Sequence, residues 1–275
     1  MIVDRSLKQR AKLIWRGGNP TLSSRLVAEE KATALTFGGS THAVMMATPA
    51  DLEDFGFGFA LTEGIIERAD EIASIEFIES DLGVEVRIWL DRDRSDELRA
   101  RRRAMVGPVG CGLCGIESLE QASQAPPSVS SQATFHARDL LQAMGALAPL
   151  QQLNQKTQAV HAAAFWRPHG GVGLVREDVG RHNALDKLAG ALMRQNIARA
   201  DGAVLLTSRV SVEMVQKTAR IGAPVLVAVS APTSLAIETA DQAGICLIAV
   251  ARADGYEIFT HPDRIDFSES RTVAA

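Results

Sequence analysis

Short apolar runs separated by glycine turns characterise the first ninety residues. Residues 32–37 and 42–48 are predicted to form strands, and the Gly-Gly-Ser segment at 38–40 between them is typical of a hairpin turn. Residues 72–79 and 84–90 predict a second hairpin, which turns around Asp-Leu-Gly. The amino-terminal part is therefore predicted to contain two pairs of strands.

The residues between these two hairpins show the spacing of an α-helix. Thr48, placed before a proline and an acidic residue, is expected to supply a capping hydroxyl, and Gly64 is expected to end the helix. Between them, apolar side chains recur at helical spacing at Leu52, Phe55, Phe59 and Ile65. We predict a small α+β domain over residues 1–104, with the phenylalanine cluster Phe55, Phe57 and Phe59 in its core.

The second half alternates strands and helices more regularly. Residues 160–166 and 172–178 predict a hairpin, and a helical apolar stripe follows at 184–193. After it come predicted strands at 203–206, 224–229 and 245–250, and predicted helices at 211–221 and 233–243 that glycines end. Apolar strands alternating with helices indicate parallel strands buried on both faces. We predict a three-layer α/β domain with a mixed sheet over residues 134–275, of cytidine deaminase-like architecture.

Composition and charge exclude several classes of protein. The chain has 275 residues, 46% of them hydrophobic, and a net charge of −4, so the overall charge balance favours neither nucleic acid nor an anionic membrane. The longest apolar stretches are far shorter than the roughly 20 residues of a membrane-spanning helix. Three cysteines cannot form a disulfide framework, and the amino terminus does not resemble a secretory leader. We expect a soluble cytoplasmic protein.

Two cysteines lie between the predicted domains, in a loop and linker over residues 105–133. The stretch "VGCGLCGIES" surrounds Cys111 and Cys114 with three glycines, and such a segment has too little bulk to pack a core.

A structural zinc site would need four ligands, but Cys246 lies alone in an apolar strand, so no metal site is predicted. A dithiol oxidoreductase would place the pair at a helix amino terminus. A glycine-rich loop better suits a thiolate that collects sulfur and delivers it elsewhere, as a persulfide relay does.

Hydrolytic deamination is not supported, although the predicted sheet resembles that of cytidine deaminases. Those enzymes place a histidine and a glutamate ahead of the cysteine pair. Here the pair precedes His161, and no glutamate follows that histidine at the required spacing.

Candidate ligand-binding residues lie where the predicted parallel strands end. Ser208-Arg209 and residues 230–233 occupy the usual ligand position of open α/β sheets.

Charged and polar residues also cluster at the start of one predicted helix: Arg181, His182, Asn183, Asp186 and Lys187. They form either a solvated, salt-bridged face or a site at which Arg181 and Lys187 meet phosphates or a second protomer, with Asp186 orienting them. His161 is either a hydrogen-bonded core histidine or a base. The arginine-rich segment 92–103 is either a solvated face or a docking surface.

Several sequence blocks, taken in order, resemble the FdhD/NarQ family of formate dehydrogenase accessory sulfurtransferases from about residue 27 to 264. The blocks are "VMMATPADLEDFGFGFALTEGII" (44–66), "GCGLCG" (110–115), "REDVGRHNALDKLAG" (176–190), "SRVSVEMVQK" (208–217) and "SAPTSLAIETADQAGICLIAVAR" (230–252). Five ordered blocks make a chance similarity improbable, whereas a lone Cys-x-x-Cys would be a weak signal.

The resemblance implies a homodimeric sulfur carrier. It would accept sulfur from a cysteine desulfurase and pass it to the molybdenum bis-molybdopterin guanine dinucleotide cofactor for formate dehydrogenase. The family's persulfide-bearing cysteine falls on Cys111, and Cys114 matches the second thiol of the loop. The family's cofactor contact falls on Val250, Ala251, Arg252, Ala253, Asp254 and Gly255. We add Arg209, Arg181 and His161 as candidate cofactor-binding residues. Two alternatives remain, a chaperone that binds the cofactor without transferring sulfur and a zinc-binding module.

Overall fold

The computed structural model describes residues 5–91, residue 94 and residues 125–268. Its helices are α1 (Leu52–Thr62), α2 (Ala137–Leu147), α3 (Gln152–Thr157), α4 (Arg181–Arg194), α5 (Val212–Ile221) and α6 (Ser234–Ala243). The strands of the first part are β1 (Leu7–Arg16), β2 (Asn19–Ala28), β3 (Lys31–Phe37), β4 (Ser40–Ala47), β5 (Ile72–Ser80) and β6 (Gly83–Leu90). The later strands are β7 (Phe135–His136), β8 (His161–Arg167), β9 (Gly171–Asp178), β10 (Ala203–Leu206), β11 (Val225–Ala228), β12 (Cys246–Arg252), β13 (Gly255–Ile258) and β14 (Ile265–Asp266).

The smaller sheet has the strand order β4-β3-β6-β5. Both predicted hairpins, β3–β4 and β5–β6, are confirmed as antiparallel pairs, and β3 joins them by pairing in parallel with β6. Its inner face buries apolar side chains such as Leu35 and Val86 in one core cluster with Phe55 and Phe59 of α1. Burial of such side chains contributes roughly 1.5–3 kcal/mol each.

Helix α1 begins differently from the prediction. Asp51 is the N-cap residue just before α1, with a left-handed φ of 52°, and no side-chain hydrogen bond from Asp51 caps the helix among the described residues. The hydroxyl of Thr48 instead accepts a hydrogen bond from the backbone N–H of Val179 at 3.2 Å. The expected capping role of Thr48 is therefore wrong, because this hydroxyl ties the start of α1 to the end of β9. The predicted end is confirmed, since Gly64 has a φ of 67° just after the helix.

The larger sheet has the strand order β13-β12-β11-β10-β8-β9. Strands β10, β11 and β12 are parallel, and the predicted β8–β9 hairpin pairs with them antiparallel through β8. Strand β13 adds an antiparallel edge that was not predicted. Helix α2 packs on one face, and helices α4, α5 and α6 pack on the other. The predicted three layers and mixed sheet are therefore confirmed.

Helices α1 and α4 pack backbone against backbone. A Cβ built on Gly58 would lie 1.6 Å from the carbonyl oxygen of Asp186, and one on Gly190 would lie 1.9 Å from that of Asp54. Only glycine permits this approach. One core cluster consequently runs from the smaller sheet through these helices to the larger sheet. The predicted boundaries at 1–104 and 134–275 stay a prediction.

Candidate functional site

The carboxyl ends of the parallel strands form one edge of the larger sheet, which we call the strand-end edge. His161 begins β8 at this edge because β8 runs antiparallel to β10. Arg209 is exposed in the segment that follows β10, and Arg252 ends β12. Arg181 begins α4, directly after β9. The structure thus brings the sequence-predicted residues of both halves of the sheet to one edge, where open α/β sheets bind ligands.

His161 and Arg181 are electrostatic neighbours at this edge. Burial, and then the positive charge of Arg181, lower the pKa of His161, which is half-buried. The Nε atom of Arg181 is shielded from solvent and has no hydrogen-bond partner within residues 5–91 and 125–268. An unpaired buried donor costs about 1–3 kcal/mol. A bound acceptor group such as a phosphate oxygen would satisfy it.

The segment 250–255 forms a strained turn at the end of β12. Val250 has a φ of 53°, and a positive φ in a β-branched residue is a genuine outlier. The pairing of β12 with β13 shifts register between Ala249 and Arg252. Arg252 holds its guanidinium against the strand ends by donating to the carbonyl oxygens of Val229 and Ala251, the second at 2.9 Å. Backbone strain of this kind concentrates at ligand-binding sites.

The charged residues of α4 do not form a solvated face. Lys187 is fully buried, and its Nζ lies 2.6 Å from the carboxylate of Asp178 and 2.9 Å from the carbonyl oxygen of Thr48. Asn183 donates to Asp178 at 3.0 Å. The salt-bridged surface reading is therefore wrong for these residues. Lys187 also does not extend toward a phosphate or a second protomer, because its ammonium binds protein oxygens inside the core.

Asp186 takes part in a second buried cluster, which was not predicted. Its carboxylate accepts hydrogen bonds from Lys217 at 2.8 and 3.1 Å and from the hydroxyl of Thr62 at 2.6 Å. Burial lowers the pKa of Lys217, but the negative charges of Asp186 and Glu63 outweigh it and raise that pKa. Sequence spacing could not reveal this pairing because Lys217 belongs to α5. Asp186 orients Lys217 rather than Arg181.

A cleft of about 520 Å³ opens beside this cluster. Its walls come from β4, α1, the start of α4 and α5, and they include Phe59, His182, Lys217 and the exposed Arg220. Residues 125–127 complete the wall. Burial, and then the charges of Arg181 and Lys217, lower the pKa of His182.

The two predicted sulfur-carrying residues, Cys111 and Cys114, lie outside the described residues, as does most of the segment 92–103. Cys114 precedes Ala125 by eleven residues, a length of chain that spans at most about 40 Å. Cys246, by contrast, is fully buried in β12, and burial raises the pKa of its thiol to about 12. Such a thiol is an inert structural residue.

The described part of the chain lacks two further kinds of feature. No three His, Cys, Asp or Glu side chains there are arranged to hold a metal ion. No helix there is long and apolar enough to cross a bilayer.

Comparison with known proteins assigns the family. The model of the FdhD/NarQ family matches residues 28–266, which is most of the chain and includes both the strand-end edge and the cleft. The chain belongs to the FdhD/NarQ family. The resemblance inferred from the five sequence blocks is thereby confirmed.

Relatives in the FdhD/NarQ family align over nearly the full chain. The sulfur carrier protein FdhD of Agrobacterium fabrum is 55% identical over 264 residues, covering 96% of this chain and 97% of that protein. The sulfur carrier protein FdhD of Cupriavidus necator is 51% identical over 256 residues, covering 93% and 89%. A crystal structure described as a formate dehydrogenase accessory protein from Desulfotalea psychrophila superposes with a TM-score of 0.74 at 26% identity, covering 94% of this chain and 99% of that one.

Proposed function

We propose that this chain is a sulfur carrier that serves formate dehydrogenase maturation. In this proposal Cys111 accepts sulfur as a persulfide from a cysteine desulfurase and passes it to the molybdenum bis-molybdopterin guanine dinucleotide cofactor. The observation that carries the proposal is the match to the FdhD/NarQ family over residues 28–266, together with relatives named sulfur carrier proteins. The thiol pair supplies the chemistry that such a role needs.

The sulfur steps balance with the two thiols of the chain. In the first step the Cys111 thiolate attacks the outer sulfur of the desulfurase persulfide, so one S–S bond forms and one breaks and the desulfurase cysteine leaves as a thiolate. In the second step the Cys114 thiolate attacks the inner sulfur on Cys111. This forms the Cys111–Cys114 disulfide from the electron pair of the Cys114 thiolate, breaks the bond to the outer sulfur, and releases that sulfur as sulfide with the bonding pair. A cellular dithiol reductant then restores both thiols.

The strand-end edge is the proposed binding place for the cofactor, as substrate. Its unpaired Arg181 Nε, the guanidinium of Arg252 and the strained turn at 250–255 fit a guanine nucleotide with its diphosphate. Ala253 and Asp254 are exposed in this turn, and Gly255 starts β13. Arg209 follows β10 and His161 begins β8, so both lie further along the same edge.

Replacing Arg252 by alanine is expected to weaken binding of guanosine diphosphate, used as a probe for the cofactor's nucleotide, by about tenfold. The physical reason is the loss of a charge-assisted hydrogen bond, worth roughly 1.5–3 kcal/mol before solvent competes. Isothermal titration calorimetry measures the effect. Arg68, an exposed arginine paired with Asp70 and distant in sequence from β12, provides the matched control Arg68→Ala. Equal affinities of wild type and Arg252→Ala for guanosine diphosphate would show that Arg252 does not bind the nucleotide.

A labelled-sulfur experiment separates a sulfur carrier from a chaperone that only presents the cofactor. The chain is charged by a cysteine desulfurase with ³⁵S-cysteine, re-isolated, and mixed with the molybdenum cofactor without added reductant, so that Cys114 alone releases the sulfur in a single turnover. A carrier loses its label to the cofactor fraction in proportion to the cofactor supplied. Cofactor that supports formate dehydrogenase while remaining unlabelled would contradict the proposal and favour the chaperone.

Three further expectations belong to the same proposal. The chain acts as a homodimer, and it acts in the cytoplasm, where reductants keep its thiols in the reduced form. The architecture of the larger sheet is cytidine deaminase-like, without that family's hydrolytic chemistry. These expectations rest on the resemblance described above.

A further inference from the structure

His182 lies in the wall of the cleft with one ring nitrogen unpaired. It is the second residue of α4 and is partly buried. Its Nε2 atom is shielded from solvent and has no hydrogen-bond partner within residues 5–91 and 125–268. Buried polar atoms are nearly always paired, and an unpaired one is commonly a catalytic group or a contact for a bound molecule. The Nε2 atom therefore marks a position at which a reacting group can be accepted.

The surroundings of His182 favour its neutral form near pH 7. Burial lowers the pKa of His182 from its ordinary value of 6.5, and the charges of Arg181 and Lys217 lower it further. The carboxylates of Glu213 and Glu63 oppose this change without reversing it. The amino end of α4, where backbone N–H groups are unpaired, also disfavours an imidazolium. A neutral imidazole can take up a proton and return it, as acid–base catalysis requires.

The cleft adjoins two parts of the molecule that the proposed sulfur transfer uses. Residues 125–127 line the cleft, and they follow the thiol pair in the chain, with Cys114 eleven residues before the first of them. Arg181, which belongs to the proposed cofactor site, directly precedes His182, and its charge acts on both His161 and His182. Sulfur released in the cleft would therefore emerge beside the strand-end edge.

The release of sulfur from Cys111 requires the transfer of a proton. The Cys114 thiol, with an ordinary pKa of about 8.5, is mostly protonated near pH 7 and must lose its proton before it attacks. The outer sulfur of an ionised persulfide would leave as the strongly basic dianion S²⁻ unless it gained a proton. Because a less basic group leaves faster, protonation of the outer sulfur speeds its release. One group that accepts the first proton and donates it to the outer sulfur meets both needs.

We infer that His182 is the general acid–base residue of sulfur release. Its Nε2 atom takes the proton of the Cys114 thiol, and the resulting thiolate attacks the inner sulfur on Cys111 to form the disulfide. The imidazolium then gives the same proton to the outer sulfur, which leaves as hydrosulfide with the bonding electron pair. Protons and electrons balance without a further reactant. The inference rests on the proposed sulfur-carrier function and adds a catalytic residue to it.

A single-turnover assay measures the release of sulfur separately from its loading. The full chain is loaded with ³⁵S by a cysteine desulfurase and re-isolated, and release is started by adding the molybdenum cofactor without reductant. His182→Gln is expected to load Cys111 as wild type does but to release the label about 100-fold more slowly. His169 is exposed in the turn at the far end of β8 from the strand-end edge, so the matched control His169→Gln should release the label at the wild-type rate.

Two further measurements distinguish proton transfer from a structural role of His182. Release by wild type is expected to slow as the pH falls through the pKa of His182, below 6.5, because an imidazolium cannot accept the thiol proton, and to level off above it. His182→Gln is expected to lack this plateau, and its rate should rise about tenfold per pH unit toward the thiol pKa of about 8.5. Imidazole added to His182→Ala should restore much of the lost rate, because solvent reaches the cleft.

Every other outcome overturns the inference. Release by His182→Gln at the wild-type rate would exclude a role in proton transfer. Slow release by both variants with the wild-type pH profile, and without rescue by imidazole, would assign His182 a structural role. A folded His182→Gln chain that fails to load sulfur would place the residue in the acceptance step. If wild type gains no sulfur from an active desulfurase, the sulfur-carrier proposal itself fails, and this loading failure is distinguishable from a failure of release.

Discussion

Replacing Cys111 by serine is expected to lower formate dehydrogenase activity by roughly 100-fold or more in cells that depend on this chain for maturation. A serine hydroxyl cannot form a persulfide. No thiol in the described part of the chain can replace that of Cys111, because Cys246 is buried and its pKa is raised to about 12. The assay is formate-dependent dye reduction in extracts of a strain that lacks its own family member and expresses the variant.

Cys246→Ala is the matched cysteine control for this experiment. It removes a thiol from the same chain without touching the Gly-Cys loop, so activity should stay near that of wild type. Cys114→Ser is expected to load sulfur but fail to deliver it, because no second thiol then supplies the two electrons. Full activity in the Cys111→Ser strain would show that the chain supports maturation without carrying sulfur.

The largest expected effect on stability comes from Gly58→Ala, which should lower the free energy of unfolding by about 3 kcal/mol, the upper end of the usual cost of overpacking. The added Cβ would lie 1.6 Å from the carbonyl oxygen of Asp186, so α1 and α4 must move apart. Their separation also disturbs the hydrogen bonds of Thr62 and Lys217 to Asp186. Urea unfolding followed by circular dichroism measures the change.

Gly145→Ala is the matched control for the effect of helix propensity. Gly145 lies in α2, and no described atom comes within 4 Å of a Cβ built on it. Alanine there should stabilise the chain by about 0.5–1 kcal/mol. If Gly58→Ala unfolds within 1 kcal/mol of wild type, the two helices do not pack as described.

Local sequence patterns predicted most of the elements because each one carries its own signal. Glycines at 222 and 244 end α5 and α6, with φ values of 83° and 73°. Apolar runs bounded by such glycines place β11 and β12 within a few residues of their observed bounds. Strand polarity followed from the alternation of strands and helices, which favours parallel pairing.

Long-range pairing of charges left no comparable signal in the sequence. Lys187 pairs with Asp178 and Lys217 pairs with Asp186, and each pair joins elements whose packing must be known first. The spacing of charges on α4 suggested an exposed face because i and i+4 positions are neighbours on any helix. The strained φ of Val250 is likewise imposed by the meeting of β12 and β13 rather than by its own preference for extended backbone.

Hairpin β1–β2 was missed for a different reason. Its apolar alternation, in which Leu13, Trp15 and their partners on β2 recur with a period of two, was not recognised as a strand signal. The sequence-predicted ligand residues, by contrast, were placed together at the strand-end edge, because parallel strands direct their carboxyl ends to one side of a sheet.

The most direct test of the sulfur-carrier account is the intact mass of the purified chain after incubation with a cysteine desulfurase and cysteine. The account predicts a gain of sulfur that a reductant removes, that maps to the peptide containing Cys111, and that is absent from Cys111→Ser. A chain that gains no sulfur beside a desulfurase shown to be active, or one that gains it equally in Cys111→Ser, would contradict the account.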